Sequence, residues 1–266
     1  MDVFALAEAC LSATSVEDKL ARSSAAAASI ATGDFSTETP VEPQPIAQPG
    51  RPSRPRLVPP RKLPQRGLSS VEGRAALVHA VAHIEFNAID LAWDAIYRFR
   101  GMPGEYYLDW AQVAADETRH FQMLSARLAE MGHAYGDFDA HNGLWEMAVK
   151  TSGSCLERMA LVPRVLEARG LDVTPGMIAR LRDVGDLRTI EILDVILAEE
   201  VAHVAAGSRW FAWCCAREGV DAQATFAHLV TEYARFVLKP PFNETARRAA
   251  GFSEEEMNRL MAQSAA

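Results

Sequence analysis

Apolar residues recur every three or four positions along most of the chain after residue 68, which is the period of helices buried on one face. Alternating β-branched runs bounded by turn residues, which would predict strands, are lacking. The pattern predicts an all-α protein. Glycine and proline divide it into helices over about 70–100, 105–131, 141–169, 185–217, 222–238 and 253–263. The third helix contains Pro163, a predicted kink, and is expected to end before Gly170.

The connections between the four long helices predict how they pair. The first two helices are joined by a very short link and the last two by a moderate one, so each pair should form an antiparallel hairpin. The connection over 132–140 is longer. One longer connection between two hairpins is typical of a ferritin-like bundle. We therefore predict a ferritin-like four-helix bundle over 68–266, with extra C-terminal helices and an N-terminal extension.

Two further segments precede this region. Residues 1–33 are alanine-rich and should be helical, with a possible capping box that begins at Ser15. Residues 34–67 contain most of the prolines and are predicted to form an irregular linker. Between 47 and 67 there are six Lys or Arg and no acidic residue.

Charge and composition narrow the range of functions. The formal net charge of -8 argues against a general nucleic-acid binder, because neutralising phosphates requires a basic surface. No uninterrupted apolar run reaches the length of a membrane span, and the N-terminus lacks the features of a signal peptide. The four cysteines show no zinc-binding spacing. We expect a reduced, soluble, cytoplasmic protein that does not bind membranes.

Ionisable residues interrupt the apolar faces of three predicted helices near their midpoints. They are Glu85 on the first helix, Glu117 and His120 on the second, and Glu200 and His203 on the fourth. A carboxylate in a core is costly unless it is paired, protonated or bound to a metal. Because converging carboxylates repel one another, shared divalent cations are the simplest way to stabilise them.

The spacing of these residues supports a metal site. The segments 117–120 and 200–203 are both Glu-x-x-His, which places the two side chains on one face of a helix. Di-iron bundles use this motif on two helices and one glutamate on each of the other two. The alternative is a pair of buried Glu–His contacts that only hold helices together. A third match, 130–133, spans Gly132 at a helix end and is interpreted as a coincidence.

A repeat argument suggests the fourth carboxylate. Glu85 precedes Glu117 by 32 residues, and Glu167 precedes Glu200 by 33. If the two hairpins are equivalent, Glu167 is the missing ligand. The arginines beside it allow a simple ion pair instead. The other candidates on the same predicted helix are Glu157 and Glu146.

One motif resembles that of a known enzyme class. Residues 116–120, Asp-Glu-Thr-Arg-His, resemble the Asp-Glu-x-Arg-His motif of bacterial di-iron monooxygenases. That resemblance implies that Glu117 and His120 bind metal and that Asp116 and Arg119 surround them. Residues 199–203 lack the equivalent Asp and Arg. The aspartates that could orient the ligand histidines are Asp194, Asp90 and Asp94.

A wider resemblance covers about 70–250. Several segments are similar to an uncharacterised family of ferritin-like bacterial proteins: 83–92, DETRHF at 116–121, 166–172, 198–204 with 209–211, and 240–243. More distantly, the chain is similar to the di-iron tRNA hydroxylases that act on isopentenyl-adenosine. These enzymes share a Glu-Ala-Arg segment whose Glu is a ligand, which supports Glu167.

The leading functional hypothesis is an O₂-dependent, hydroxylase-like oxidoreductase. Carboxylates and imidazoles suit two iron ions, with manganese as an alternative. The partners would be O₂, an unknown small organic substrate and an unknown electron donor. The alternatives are a metal-handling or peroxide-scavenging protein and a tRNA-modifying hydroxylase, which only the basic stretch 51–66 favours. Gly207 is predicted either to leave space for a substrate near the metals or to allow close helix packing.

Overall fold

The computed structural model describes residues 1–39, 41–234 and 238–263. Within these ranges the protein is an all-α helical bundle, and its only β-type pairings are two isolated bridges. The chain divides into two compact units, Met1–Val149 and Lys150–Ala266. The prediction of an all-α bundle is confirmed.

Unit 1 is built around one long hairpin. Helix α3 (Val71–Arg98) and helix α4 (Gly104–Glu130) pack along each other, as predicted from the periodic pattern. The side chain of Ser70 caps α3 by accepting a hydrogen bond from the N–H of Gly73. Two shorter helices, α1 (Val3–Leu11) and α2 (Val16–Ile30), pack on α3 and α4 respectively.

In its described residues, 34–39 and 41–67, the proline-rich segment is irregular apart from a 3₁₀ turn at Pro60–Lys62 and isolated bridges at Ser36 and Leu57. Its backbone is nevertheless fixed to unit 1. The N–H of Gly50 donates to the carbonyl of Leu11, and the indole of Trp145 donates to the carbonyl of Ala47. Further along, Arg56 forms two hydrogen bonds with Asp139. The segment therefore packs on the helical unit.

Unit 2 begins with the end of α5 (Gly143–Lys150) and continues with α6 (Cys155–Leu161), a π-helical turn at Val162–Glu167 and α7 (Ala168–Asp183). The prediction of one helix over 141–169 that ends before Gly170 is wrong. The side chain of Ser154 starts a new helix by capping Glu157. Gly170 lies inside α7, because burial of apolar side chains such as Leu171 outweighs the low helix propensity of glycine.

Helix α8 (Leu187–Glu218) confirms the predicted helix over 185–217 and ends at Gly219, whose φ of +69° suits glycine. The chain then forms α9 (Ala222–Leu229), a second π-helical turn (Val230–Ala234), α10 (Glu244–Ala249) and α11 (Glu254–Gln263). The predicted capping box of the last helix is confirmed by hydrogen bonds between Ser253 and Glu256. Helix α10 was not predicted, and the expected end of the fifth helix falls partly outside the described residues.

Within the described residues, one helix, α3, is long and apolar enough to cross a membrane by composition, with a mean hydropathy of 1.2 over its most apolar window. However, 78% of that window is buried inside the protein, which is typical of a core helix. The grouping of 68–266 as a single domain remains a prediction.

Candidate metal centre

Three of the predicted ligands come together in the hairpin of unit 1. Glu85 on α3 and both Glu117 and His120 on α4 are buried, with side chains at most 6% exposed. The Nδ1 atom of His120 lies 3.1 Å from Oε2 of Glu85 and 3.6 Å from Oε2 of Glu117. One possible ligand atom from each residue lies within 4.8 Å of the others. This buried cluster could bind a metal ion.

The apolar faces of the two helices explain why these three residues meet. On α3, Glu85 lies in a buried stripe that consists of Val78, Val81, Ala82, Ile89, Ala92 and Ile96. On α4, Glu117 and His120 lie in a buried stripe that consists of Trp110, Val113, Ala114, Phe121 and Leu124. The two stripes face each other in the hairpin, so burial of the apolar residues forces the polar ones into the same place.

The electrostatics of the triad suit a cation. Burial, and then the charge of Glu117, raises the pKa of Glu85 to about 8. Burial disfavours the charged form of His120, but hydrogen bonds to Glu117 and Glu85 and their charges outweigh this effect and raise its pKa to about 11. Protons on the triad therefore provide the positive charge that two buried carboxylates require. A divalent metal ion could replace them, since both glutamates and the imidazole are metal ligands.

Unit 2 contains the second Glu-x-x-His motif. On α8, His203 Nδ1 lies 3.3 Å from Oε1 of Glu200, and both side chains are buried. They belong to a buried stripe that also contains Leu193, Ile196, Val204 and Gly207. The predicted position of both residues on an apolar helix face is confirmed.

Glu167 is the last residue of the π-helical turn that precedes α7, and its side chain is also buried. The turn packs against α8, the helix that carries Glu200 and His203. The two alternatives differ from it: Glu157 is half-buried in the first turn of α6, and Glu146 is exposed. Among the three candidates, burial favours Glu167.

The residues proposed to surround the ligands have other contacts. Arg119 donates a hydrogen bond of 2.7 Å to Asp116, its neighbour on α4, and both side chains are partly exposed. Asp194 is exposed and lies nine residues before His203 on α8, which is about 13 Å along the helix. It therefore lies too far along α8 to contact His203, and a role for Asp194 in orienting a ligand histidine stays a prediction.

The two alternatives to Asp194 are also engaged elsewhere. Asp90 forms a fully buried ion pair with Lys19 of α2, and Asp94 pairs with Arg98 one turn further along α3. The local sequence does not predict the Lys19–Asp90 pair. Lys19 lies in a short, alanine-rich helix, and nothing in that helix indicates that its partner is an acid 71 residues later in the sequence.

Gly207 supports close packing rather than a cavity. A Cβ atom placed on Gly207 would lie only 2.4 Å from the Cβ and Cγ atoms of Pro163. The space beside the glycine is therefore filled by the proline ring.

The third Glu-x-x-His match, at 130–133, has the contacts expected of a coincidence. Glu130 is exposed and pairs with Arg127, while His133 pairs with Asp137.

Comparison with known proteins places this site in a family. The family profile described as "Protein of unknown function (DUF455)" matches residues 12–258 and so includes every predicted ligand. The chain belongs to this DUF455 family. It is 43% identical over 214 residues to an uncharacterised protein of Haemophilus influenzae, and the match covers 78% of this chain and 74% of that protein. No solved structure matches the chain. The DUF455 description assigns no activity, so the function has to be inferred from the site.

Proposed function

We propose that this protein is a ferritin-like, non-haem di-iron oxidoreductase of the cytoplasm, with manganese as an alternative metal. Glu85, Glu117 and His120 would bind one ion, and Glu167, Glu200 and His203 the other. The ferritin-like character of the fold is part of the proposal. The observation that carries it is the buried Glu85–Glu117–His120 cluster of unit 1.

The donor set fits iron. Each ion would have two carboxylates and one imidazole, a hard set without thiolates that suits iron or manganese better than copper or an iron–sulfur cluster. When bound, two ferrous ions supply the electrons that reduce O₂. The repeated Glu-x-x-His motif supports two equivalent ligand sets in place of two unrelated structural ion pairs.

The chain itself excludes water and controls protons at the triad. All three residues are almost fully buried, and the rings of Phe86 and Phe121, which directly follow Glu85 and His120 in sequence, lie 5.1 Å apart between their centroids. Because the pKa of Glu85 is raised to about 8, its carboxyl carries a proton at neutral pH until a cation arrives. Metal binding should therefore release protons and strengthen as the pH rises.

The proposed substrates are O₂ and a small organic molecule, and the reaction would require an electron donor. One observation favours the alternative, a metal-handling or peroxide-scavenging protein. The contact of Gly207 with Pro163 removes the space that would have admitted a substrate at that point. For the tRNA-modifying alternative, the basic segment offers Arg54, Arg61 and Lys62 on the surface, whereas Arg56 forms an exposed ion pair with Asp139.

The test is metal analysis of protein reconstituted with Fe(II) without oxygen, followed by Mössbauer spectroscopy. The proposal expects two high-spin ferrous ions per chain and their oxidation on exposure to O₂. Stoichiometry of one ion or none would refute it. Faster turnover of peroxide than of O₂, with no organic compound perturbing the iron spectrum, would favour the scavenger.

A further inference from the structure

The chain departs from α-helical geometry over Val162–Glu167, a π-helical turn whose last residue is Glu167. Pro163 is the second residue of the π-helical turn. A proline within a helix cannot donate a backbone hydrogen bond, and its ring clashes with the carbonyl four residues earlier. A π-turn adds one residue, so the residues after it are rotated by about 100° around the helix axis. The direction of Glu167 therefore depends on whether this turn persists.

Helix α8 holds one side of the turn. The ring of Pro163 rests against Gly207, at a distance that leaves no space for a Cβ atom. Gly207 lies one helical turn after His203 and on the same buried face. The contact therefore ties the position of the turn to the helix that presents Glu200 and His203.

Helix α11 holds the other side through Arg164, which is only 2% exposed. Its Nη2 atom lies 2.8 Å from Oε1 of Glu256, and its Nε atom donates a hydrogen bond of 3.2 Å to Ser208. The guanidinium group lies over three aromatic rings at 4.1–4.9 Å from their centroids, those of Phe211, Phe226 and Phe252. A cation buried this deeply needs its carboxylate partner, so the ion pair is an anchor for the turn.

We propose that the Gly207–Pro163 contact and the Arg164–Glu256 ion pair hold the π-turn in the geometry that directs Glu167 to the metal. Glu256 is then a positioning residue that acts through Glu167 and does not touch the metal. This inference rests on the proposed function, because it requires Glu167 to be a ligand. Under this proposal α11 contributes to metal binding through Glu256, which lies 89 residues after Glu167 in the sequence.

The test compares two neighbouring glutamates of α11. Glu256→Gln removes the charge but keeps the size and the capping box with Ser253, in which glutamine also serves. Glu255→Gln is the matched control, because Glu255 forms an exposed ion pair with Arg259. Anaerobic titration with Co(II) measures the affinity of both sites, and circular dichroism verifies the fold. We expect Glu256→Gln to weaken one site about tenfold and the control to match the wild type.

A double variant with Glu167→Gln separates positioning from general damage. If Glu256 acts through Glu167, the double variant binds Co(II) no more weakly than Glu167→Gln alone. Additive losses, or wild-type affinity in folded Glu256→Gln, overturn the inference. If that variant does not fold, Ser208→Ala, which removes the other hydrogen bond to Arg164, is judged by the same criteria. Wild-type protein that binds fewer than two ions refutes the proposed function itself.

Discussion

His120 Nδ1 lies 3.1 Å from Oε2 of Glu85, a carboxyl that reaches it from the other helix of the hairpin. This contact joins α3 to α4 within the apolar stripes along which the two helices pack. Without a metal, it depends on protons, because the pKa values of Glu85 and His120 are both raised above their ordinary values. The stability of the metal-free protein should therefore depend on pH in a defined way.

Metal-free protein should lose stability as the pH rises from about 5 to 8 and beyond. Glu85 is ordinarily ionised above a pKa of 4.5 but keeps its proton in the folded state up to about 8. His120 keeps its proton beyond its ordinary pKa of 6.5, up to about 11. The folded state thus holds more protons, and each group lowers the free energy of unfolding by up to about 1.4 kcal/mol per pH unit in its window.

Thermal melts of metal-free protein between pH 5 and 9 check this prediction. Glu85→Gln removes one titrating group and should flatten the lower part of the profile. Addition of Fe(II) should raise the Tm most above about pH 8, where Glu85 no longer carries a proton. A Tm of the metal-free protein that rises steadily over this range would contradict the assignment of the triad.

A second prediction separates the two mid-helix motifs from the coincidental one. Glu200→Ala should abolish binding of at least one metal ion, because a buried carboxylate ligand is lost. Glu130→Ala should leave the metal content unchanged, since Glu130 is exposed and pairs with Arg127. Elemental analysis of both purified variants measures the effect. Equal metal loss in the two variants would mean that the burial of a motif does not identify the ligands.

The helices that carry most of the predicted site were predictable because nothing in their sequence competes with the apolar period. Helices α3, α4 and α8 each have an apolar stripe along most of their length, interrupted near the midpoint by one or two ionisable residues, and each is bounded by a glycine or a capping residue. The stripes predicted burial of Glu85, Glu117, His120, Glu200 and His203, but not of Asp90 and Asp94 on α3. The candidate site was therefore predicted from ionisable residues, because burying such residues in a core costs free energy unless they are paired or bound to a metal.

The region around Glu167 could not be predicted in the same way. A glycine such as Gly170 usually marks the end of a helix, but here tertiary packing lets α7 continue through it. Pro163 lies in a π-helical turn, whereas its sequence position predicts a simple kink. Whether a glycine such as Gly207 borders a cavity or a neighbouring helix depends on which side chain packs against it. That information belongs to the three-dimensional arrangement and is not present in the local sequence.

The third prediction concerns the contribution of the Lys19–Asp90 ion pair to stability. Both side chains are fully buried, so Lys19→Met should leave an uncompensated acid and lower the free energy of unfolding by about 3–5 kcal/mol. Arg22→Met is the control on the same helix, because Arg22 and Asp18 form an exposed pair that contributes about 1 kcal/mol or less. Urea denaturation of both variants measures the difference. Similar midpoints would show that α2 does not depend on the buried charge.

The last prediction concerns Gly207, where a single methyl group should be harmful. Gly207→Ala places a Cβ atom against the ring of Pro163, and the overpacking should lower the free energy of unfolding by about 1–3 kcal/mol. Gly176→Ala in α7 is the matched control, because its Cβ atom would meet nothing within 4 Å. There the better helix propensity of alanine should stabilise the protein by about 0.5–1 kcal/mol. The two substitutions are chemically identical, so opposite shifts in Tm would locate the effect in the Pro163 contact. A rise in Tm in both variants would mean that α8 can move away from the π-turn, and that Gly207 does not fix the position of the turn.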